Sequence, residues 1–505
     1  MGTPNEVNPS YWITTGPETA YPAFTGADPG ADAVVVGAGI FGLTTAVLLA
    51  RAGVRVALLD AGPVAAGVTG YTTAKVSSLH GLVYADLAGS LGEDTARTYG
   101  EANEAAIAQV ATLVDELGID CAFERLPAYT YTEDAGLVRK LQDEAETAAR
   151  LGLPASFVTD ADLPYPVAGA VRFEDQAQFH PRRYCVGLAE WLVAQGHPVF
   201  EHTRVLDVDE DGGGCRVETE AGELRAGHVV VATHIPFADP GMLFARTHPE
   251  RSYAITATLR GPAPSGMFIS AEEPTRSVRP IVAGGNEVLI GGEGHKVGQD
   301  PDTRRRYEAL ERWAKERFDV VSLDTRWSAQ DYMSPDGMPF IGPLGPGAKR
   351  RHTATGFAKW GMTNGTVAAA IITDRIQGRE NPWAAVFDSN RINLTASAKD
   401  LVKENVDVAK RFVGDRLAAL RAPKAEALAP GEGCIAQVGG HRMAVHRDDN
   451  GELHAVSARC THLGCYVAWN TAERSWDCPC HGSRFDADGR VIQGPATKDL
   501  ERAED

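Results

Sequence analysis

Four cysteines and two histidines close together constrain the fold of this chain more than any other feature of its sequence. They occupy two short segments, Cys460-Thr-His462-Leu-Gly-Cys465 and Cys478-Pro-Cys480-His481-Gly-Ser483. Polar, glycine-containing segments of this kind provide no apolar core in which four cysteines could be buried as small hydrophobic residues. Thiolates and imidazoles are metal ligands, so the pattern predicts two loops that hold a metal centre between them.

The spacing within these loops favours an iron-sulfur cluster ligated by histidine. A Rieske [2Fe-2S] centre takes two thiolates on one iron and two imidazoles on the other. One cysteine and one histidine from each loop meet that requirement, Cys460 with His462 and Cys478 with His481. Zinc also accepts both residue types, but its structural sites usually space two cysteines as Cys-x-x-Cys. We therefore predict a [2Fe-2S] cluster and keep zinc as the alternative.

The two loops resemble those of the high-potential Rieske proteins of respiratory chains. The resemblance implies a disulfide between Cys465 and Cys480, and hydrogen bonds to the cluster sulfurs from a serine and a tyrosine shortly after the second loop. Ser483 is present, but Phe485 stands at the tyrosine position. Because one donor is lost, we expect a midpoint potential below that of the respiratory proteins. We also expect the tip of this domain to be exposed, so that electrons can leave there.

A glycine-rich turn elsewhere in the chain predicts a dinucleotide site. Gly37, Gly39 and Gly42 follow the apolar strand AVVVG and open an apolar helix, and Asp60 ends the next strand. Glycine at these positions allows a tight turn, a close approach of the backbone to a pyrophosphate, and packing of the helix against the strand. Asp60 would bind a ribose hydroxyl. The alternative is a glycine-rich turn without a ligand. It does not explain why a strand, a helix and an acidic residue occur at the positions that a dinucleotide site requires.

Two further segments, GVTGYTTAKVSSLHG at 67–81 and TATGFAKWGMTNGTVAAAI at 353–371, resemble the flavin-wrapping loops of the D-amino acid oxidase, glycine oxidase and sarcosine oxidase superfamily. The resemblance implies that the dinucleotide is FAD. The superfamily usually has glutamate at the position of Asp60, and the shorter acid can still reach a ribose. The second segment opens an apolar helix whose positive N-terminal end can stabilise negative charge on a reduced flavin. The further FAD contacts implied are Thr72, Thr73, Val205 through its backbone, Gly361, Thr363 and Asn364.

The sequence identifies no catalytic base, and none is required if an amine binds in its neutral form in a desolvated pocket. Arginines in EEPTRSVRP lie where the superfamily builds its substrate sheet, and one of them could bind a carboxylate with two hydrogen bonds. Lys75 and His80 of the first flavin-wrapping segment are undecided between a flavin contact and a structural role. The candidates for contact with substrate or flavin, each with an ordinary surface or loop role as its alternative, are Arg276, Arg279, Lys359 and Trp360.

A second iron site was considered at His197 and His202, which have the spacing of the mononuclear iron ligands in Rieske oxygenases. The aspartate expected three residues before the first histidine is Ala194. Strand alternation would also place the two histidines on opposite faces. We therefore expect no third iron.

The order of predicted elements indicates three structural units. A βαβ pattern at 33–60 is followed by long helical patterns at 93–117 and 135–151, and a helix at 181–196 leads into strands that return to the first unit. The fold class predicted is an α/β Rossmann-type FAD-binding domain interleaved with an α+β substrate domain, followed by a small all-β Rieske domain. The expected bounds are 1–392 for the oxidoreductase part (FAD-binding about 30–92, 176–240 and 331–392; substrate about 93–175 and 241–330), 393–430 for a helix and linker, and 431–505 for the Rieske domain.

Composition and charge exclude several classes of protein. Of the 505 residues, 44% are hydrophobic and 23% are charged, which is ordinary for folded globular domains. The net charge of −18 argues against nucleic acid and anionic membranes as partners. The apolar run at 33–50 contains the glycines of the turn, so we expect no membrane span. Because the N-terminal residues lack the pattern of a secretory signal, we expect a cytoplasmic protein.

The resemblance covers about residues 10–505 and implies a FAD-dependent oxidoreductase, of the dehydrogenase or oxidase class, fused to a Rieske domain. We expect it to oxidise a small amine or amino-acid-like substrate by hydride transfer to FAD. Electrons would then pass singly through the cluster to a soluble one-electron acceptor. The alternative is an electron-transfer module that exchanges electrons with a partner enzyme and has no organic substrate of its own.

Overall fold

The computed structural model describes residues 7–391 and 425–502. The helix predicted at 396–420 lies outside the described residues, as does most of the predicted linker. The helices are α1 (Tyr11–Thr15), α2 (Ile40–Arg51), α3 (Tyr84–Leu91), α4 (Glu93–Glu116), α5 (Val138–Arg150), α6 (Pro181–Ala194), α7 (Arg304–Arg317), α8 (Gly361–Ile376) and α9 (Ala384–Phe387).

The strands fall into five sheets. Their bounds are β1 (Ala33–Val36), β2 (Val56–Leu59), β3 (Lys75–Val76), β4 (Glu124–Thr132), β5 (Ala155–Val158), β6 (Gly169–Gln178), β7 (Val199–Phe200), β8 (Val205–Asp211), β9 (Gly214–Thr219), β10 (Gly222–Ala226), β11 (His228–Val231), β12 (His248–Leu259), β13 (Met267–Ser270), β14 (Arg276–Pro280), β15 (Glu287–Lys296), β16 (Val320–Met333), β17 (Phe340–Pro343), β18 (Arg351–Thr355), β19 (Gly433–Val438), β20 (His441–Arg447), β21 (Leu453–Ser457), β22 (Ala468–Asn470), β23 (Ser475–Asp477), β24 (Arg484–Phe485) and β25 (Val491–Gln493).

The first sheet carries the predicted dinucleotide turn. Its order is β17-β18-β11-β1-β2-β7, and its strands are parallel except for β17, which runs antiparallel to β18. All residues of β1 and β2 are buried and apolar, as expected for a parallel sheet covered on both faces. Helices α2 and α8 pack on one face, and the three-stranded sheet β8–β10 covers the other.

The second sheet has nine strands and lies beside the first. The path is β16-β12-β15-β14-β13-β4-β6-β3, and β5 adds to β6. One face packs on α7. On the opposite face Ala254, Leu289 and Trp327 pack against Trp12, Tyr71 and the start of the first predicted flavin-wrapping segment. Because β3 belongs to that segment and pairs with β6, the segment connects the two large sheets.

The third unit is small and all-β, with sheets β19-β20-β21 and β22-β23-β24-β25. Its core contains the cysteines of both metal-binding loops together with Trp476 and Phe485. The parallel sheet, the interleaved mixed sheet and this unit confirm the predicted fold class.

The predicted helices at 93–117 and 181–196 are confirmed as α4 and α6. The pattern at 135–151 begins with a 3-10 turn before α5, because the Asp134 carboxylate accepts a hydrogen bond from the N–H of Gly136 and caps that turn. Among the described residues, no helix is both long enough and apolar enough to cross a bilayer.

Candidate redox site

The two cysteine-histidine loops share one backbone design. In each loop the carbonyl of the first cysteine accepts a hydrogen bond from the N–H of a glycine four residues later, Gly464 to Cys460 at 2.8 Å and Gly482 to Cys478 at 3.1 Å. Both glycines are left-handed, with φ of +75° and +76°. That conformation is costly for other residue types, so the glycine in each loop is required for the turn.

The loops bring the four predicted ligands together. The thiols of Cys460 and Cys478 are hydrogen-bonded, and the rings of His462 and His481 have centroids 5.1 Å apart. The bond from Cys478, with further bonds from the N–H groups of His462 and Leu463, outweighs burial and lowers the pKa of the Cys460 thiol. Burial lowers the pKa of both histidines to about 4, so both rings are neutral at pH 7, the form that binds metals.

The donor set fits a [2Fe-2S] cluster of the Rieske type. The Nδ1 atom of His462 is buried and has no hydrogen-bond partner among the described residues. A buried nitrogen of this kind is explained when a metal occupies its lone pair. The sulfurs of Cys465 and Cys480 are joined at 2.09 Å, which leaves two thiols and two neutral imidazoles in the loops. The assignment of the individual ligands stays a prediction.

The tip of the small domain is covered at the second cluster loop, whereas the first loop reaches solvent. His481 is only 7% exposed. The ring of Phe244, which lies outside the small domain, packs edge-on against His462 and His481 at centroid distances of 5.1 and 4.8 Å. Thr461 and Leu463, on either side of His462, are exposed. The expectation of an exposed tip therefore holds for the first loop and fails for the second, because the loop sequences carry no information about the surface on which they pack.

Strand β16 supplies the polar contacts nearest to the second loop. The Gln330 Nε2 atom donates to the carbonyl of Gly482 at 2.8 Å, and the Tyr332 hydroxyl donates to the carbonyl of His481 at 3.0 Å. Sequence analysis missed these two residues and Phe244. They act only through tertiary contact, and no local spacing distinguishes them.

A buried ion pair also crosses between the small domain and the second sheet. The guanidinium of Arg251 on β12 is fully buried, and its Nε lies 3.7 Å from the Asp477 carboxylate on β23. Burial raises the pKa of Asp477, but the charges of Arg484 and Arg251 outweigh it and lower that pKa to about 2. The pair is therefore charged at neutral pH and leaves little freedom for the small domain to move.

The dinucleotide turn has the geometry that its glycines predict. Gly37 has a φ of +116°, and a Cβ there would lie 2.4 Å from the carbonyl oxygen of Ala232. A Cβ on Gly42 would lie 1.9 Å from the carbonyl oxygen of Gly37. Helix α2 begins after Gly39 without a side-chain cap, so the positive end of its dipole faces the turn, as a pyrophosphate site requires.

The acid predicted to bind the ribose lies beside this turn. The carboxylate of Asp60 accepts hydrogen bonds from the N–H groups of Ala38 and Gly62, each at 2.7 Å. These bonds fix the carboxylate at the carboxyl end of β2, next to the glycines. Val205 begins β8 and is buried in the layer that covers this face of the sheet. Its contact with FAD stays a prediction.

The two predicted flavin-wrapping segments touch each other. The Thr363 hydroxyl donates to the carbonyl of Ser77 at 3.1 Å, and Trp360 stacks on His80 with centroids 4.5 Å apart. Helix α8 starts at Gly361 without a side-chain cap. Its positive N-terminal end therefore lies beside the first segment, where the sequence places the flavin.

Other predicted flavin contacts lie in the same region. The Thr72 carbonyl accepts a hydrogen bond from the indole of Trp12 at 2.6 Å, and Thr73 lies against Gly291 of β15. The Oδ1 atom of Asn364 is buried without a hydrogen-bond partner among the described residues. A buried acceptor left open in this way fits a site that a bound group completes.

Two of the candidates for substrate or flavin contact are held by carboxylates. Arg276 Nη2 lies 2.5 Å from Glu293, and Lys359 Nζ lies 2.8 Å from Glu250. The Nε atom of Arg276 has no partner among the described residues, but the charge of each cation is balanced by a carboxylate.

Arg279 and Lys75, in contrast to Arg276 and Lys359, are buried cations without a carboxylate within ion-pair distance among the described residues. Arg279 donates to Gln178 Oε1 at 2.6 Å, but its Nε and Nη2 atoms have no partner among the described residues. Lys75 is hydrogen-bonded to Ser277, and burial together with the charge of Arg279 lowers its pKa to about 7. Unpaired cationic donors in a buried position are suited to bind an anion.

Comparison with known proteins covers both parts of the chain. Residues 32–375 match the family model described as FAD dependent oxidoreductase (DAO), and residues 419–504 match that of the Rieske [2Fe-2S] domain. The chain is 36% identical over 501 residues, 98% of each chain, to YhfW of Bacillus subtilis, described as a Rieske 2Fe-2S iron-sulfur protein. Over 47 residues it is 57% identical to the cytochrome b6-f complex iron-sulfur subunit 1 of Nostoc sp., 9% of this chain and 26% of that protein.

Solved structures resemble the larger part of the chain. Glycine oxidase from Geobacillus kaustophilus has a TM-score of 0.59 at 18% identity, covering 72% of this chain and 99% of that one. L-proline dehydrogenase from P. horikoshii has a TM-score of 0.59 at 18% identity, covering 72% and 98%. At these identities the likeness shows the fold.

Proposed function

The chain belongs to the DAO family of FAD-dependent oxidoreductases and carries a Rieske [2Fe-2S] domain, and from this premise we propose that it oxidises a small amine or amino-acid-like substrate and passes the electrons singly through the cluster to an external acceptor. The predicted cofactors, FAD and a [2Fe-2S] cluster, are confirmed by both family matches. FAD supplies an acceptor for two electrons, and the cluster supplies a carrier for one.

The covered tip of the small domain is the observation that carries this proposal. His481 is buried against the oxidoreductase part, and Phe244 contacts both predicted histidine ligands. In this position the cluster loops face the domain that holds the flavin. Fusion and fixed docking keep donor and acceptor together at a high effective concentration, which makes internal transfer frequent.

The buried cations support an amino-acid-like substrate. Lys75 lies on β3 and Arg279 on β14, which are not adjacent in the mixed sheet, but the Lys75 ammonium is hydrogen-bonded to Ser277 of β14. Lys75 is also two residues after the predicted flavin contact Thr73. A substrate carboxylate would satisfy the open donors of Arg279 and be held in one orientation. Glycine oxidase, L-amino acid deaminase and L-proline dehydrogenase, which share the fold, are named for amino acids.

The protein residues in this scheme bind and orient the substrate. Oxidation removes the hydrogen of the C–H bond next to nitrogen with its electron pair, and the amine nitrogen loses a proton to solvent, which gives an imine. Because the amine binds in its neutral form in this scheme, hydride transfer requires no strong protein base.

Anaerobic mixing with matched compounds tests the proposal. Each amino acid is compared with the amine that lacks its carboxylate and with the hydroxy acid that lacks its nitrogen. We expect the amino acid to bleach the flavin fastest, followed by the paramagnetic signal of the reduced cluster. The hydroxy acid should leave the flavin oxidised.

Two outcomes would support other functions. If no amine or amino acid bleaches the flavin while a one-electron reductant reduces both centres, the chain is an electron-transfer module. If metal analysis finds three irons per chain instead of two, an oxygenase becomes the better assignment.

A further inference from the structure

We propose that Tyr332 is the positioning residue that connects the flavin-wrapping segment to the cluster, so that electrons leave the flavin domain through this side chain. The inference rests on the proposed function, because it concerns the route between the two centres. Tyr332 lies on β16, is almost fully buried, and belongs to neither cofactor motif of the sequence. Its two ends make different hydrogen bonds.

The hydroxyl end contacts the cluster loop. It donates to the carbonyl of His481 at 3.0 Å, and His481 is a predicted iron ligand. The same hydroxyl lies 3.4 Å from the carbonyl of Gly494, also in the small domain. A Cβ on Gly482 would lie 2.8 Å from the hydroxyl, so the loop and the tyrosine are in close contact. The phenol is therefore packed directly against the loop that carries a ligand.

The backbone end contacts the predicted flavin-wrapping segment. The carbonyl of Tyr332 accepts a hydrogen bond from the N–H of Ala358 at 3.1 Å. The carboxylate of the preceding residue, Asp331, accepts one from the N–H of Lys359 at 2.7 Å. Trp360, which stacks on His80, and the start of α8 follow immediately.

The conformation of this segment depends on those bonds. Ala358 and Lys359 have φ of +51° and +73°, a left-handed conformation that costs free energy in residues other than glycine. Two successive residues of this kind persist only where neighbouring groups hold them, and the two bonds from β16 do so. The segment is therefore fixed relative to Tyr332.

A second set of contacts converges on the same dipeptide. The His234 ring lies 2.9 Å from the Asp331 carboxylate through Nε2 and 3.3 Å from Gln493 of the small domain through Nδ1. The His234 ring also packs edge-on against Tyr332 at a centroid distance of 4.9 Å. Asp331 and Tyr332 thus touch both the small domain and the flavin-wrapping segment.

Electrons tunnel more readily through covalent and hydrogen bonds than across a gap of equal length. The path from Trp360 to His481 runs along the backbone to Ala358, across one hydrogen bond to Tyr332, along its side chain, and across a second hydrogen bond. Hydride transfer would leave one added hydrogen on the flavin, so two successive one-electron transfers, with the cluster reoxidised by the external acceptor between them, would each reduce one ferric ion to ferrous and would together release one proton to solvent. The tyrosine remains unchanged.

Flash photoreduction of the flavin in the anaerobic holoprotein tests this role. Absorbance changes give the rate at which the cluster becomes reduced. In Tyr332→Phe, which keeps the ring and loses only the hydroxyl, we expect this rate to fall several-fold. The electron paramagnetic resonance signal of the cluster and the amide exchange of Ala358 and Lys359 should stay as in the wild type, because the backbone bonds of residue 332 remain.

Tyr307→Phe is the matched control. It also keeps the ring and loses only the hydroxyl, which on α7 donates a hydrogen bond to the Glu473 carboxylate of the small domain at 2.7 Å, outside the cluster loops. If docking alone sets the rate, this variant slows transfer as much as Tyr332→Phe.

The possible results separate the inference from the proposed function. Equal rates in the wild type and Tyr332→Phe, or equal slowing in both variants, would overturn the role of Tyr332 and leave the proposed route intact. A wild-type protein whose photoreduced flavin never reduces the cluster would overturn the route itself. Slowing in Tyr332→Phe alone supports the inference.

Discussion

At the scale of single residues, Arg279 and Lys75 say most about the substrate. Other charged side chains of this region, such as Arg276 and Lys359, are neutralised by carboxylates. Burying two cations without a counter-ion is costly, as the lowered pKa of Lys75 shows. We infer that a bound anionic group offsets this cost.

Lys75 predicts a pH dependence of substrate binding. Its pKa in the folded protein is lowered to about 7, so the side chain is charged below that pH and neutral above it. The KM for an amino acid should therefore rise as the pH increases through 7. A charge-assisted hydrogen bond contributes about 2 kcal/mol, so the rise should be on the order of thirty-fold at most. Steady-state kinetics between about pH 6 and about pH 8, one unit on either side of that pKa, measure it.

Lys75→Met separates this effect from titration of the substrate. In the variant the KM should be high at low pH and should lose the rise near pH 7. Lys315→Met, on the exposed side of α7, is the control and should keep the wild-type profile. A wild-type profile in Lys75→Met would show that Lys75 does not contact the substrate.

Single residues also mark the limit of sequence analysis. The predicted ligands Cys460, His462, Cys478 and His481 follow from local spacing alone. Phe244 and Tyr332 could not be found in this way, because their contacts with His481 join residues that are more than a hundred positions apart in sequence. Arg279 was one of four candidates, and it has two open donors where Arg276 has one.

At the scale of elements, the two cluster loops depend on their covalent link. Cys465 and Cys480 are 15 residues apart and are joined in the structure. Closing a loop of about 15 residues stabilises a folded domain by about 3 kcal/mol. The link also holds together the two turns from which the predicted ligands project.

Removal of this link should loosen the cluster. In the double variant Cys465→Ala, Cys480→Ala we expect the small domain to lose about 3 kcal/mol of unfolding free energy and to release iron on heating at a lower temperature than the wild type. Visible absorbance of the cluster during thermal unfolding measures the shift. Cys434→Ala, which removes a free thiol outside the loops, is the control. Equal transitions in the double variant and wild type would mean that the two cysteines are unlinked in solution.

Elements with a strong local pattern were predictable. The βαβ unit at 33–60 and helix α4 follow directly from apolar periodicity and glycine placement. Strand β3 was not predicted, because two residues of a loop carry no periodicity and pair with β6 only after the chain has turned. The start of α5 was shifted because the Asp134 carboxylate caps the N–H of Gly136 and the segment begins with a 3-10 turn.

At the scale of the whole molecule, the position of the small domain is set by buried polar contacts. Arg251 and Asp477 form an ion pair that is buried from both sides, and Thr303 and Tyr307 donate hydrogen bonds to Asn470 and Glu473. Breaking one partner of a buried pair is costly, because the other charge stays buried without compensation. The docked arrangement is therefore stiff.

Arg251→Met tests this arrangement. Because Asp477 keeps Arg484, we expect a loss of about 3 kcal/mol, the lower end for a buried pair. The bleaching of the cluster on heating should then occur at a lower temperature than the release of the flavin. Arg260→Ala, which breaks an ion pair with side chains 74% and 68% exposed, should leave both transitions within about 0.5 kcal/mol of the wild type. Unchanged transitions in Arg251→Met would show that docking does not depend on this pair.

The overall arrangement was only partly predictable. The order of the three units follows from the sequence, since each has its own pattern of elements. Their mutual packing does not, because it depends on side chains that have no partner until both surfaces exist. The expectation of an exposed tip failed at the second loop for this reason, and it holds at Thr461 and Leu463 of the first loop.

The surface on which the small domain packs has a consequence for biosynthesis. The residues of this surface that donate hydrogen bonds to the small domain, from Asn8 to Tyr332, precede that domain in the chain. Translation proceeds from the N-terminus, so the receiving surface can be complete before the cysteine loops leave the ribosome. Iron and sulfide would then be delivered to cysteine loops that have not yet docked. Docking of the small domain on the completed surface would be the last step of maturation.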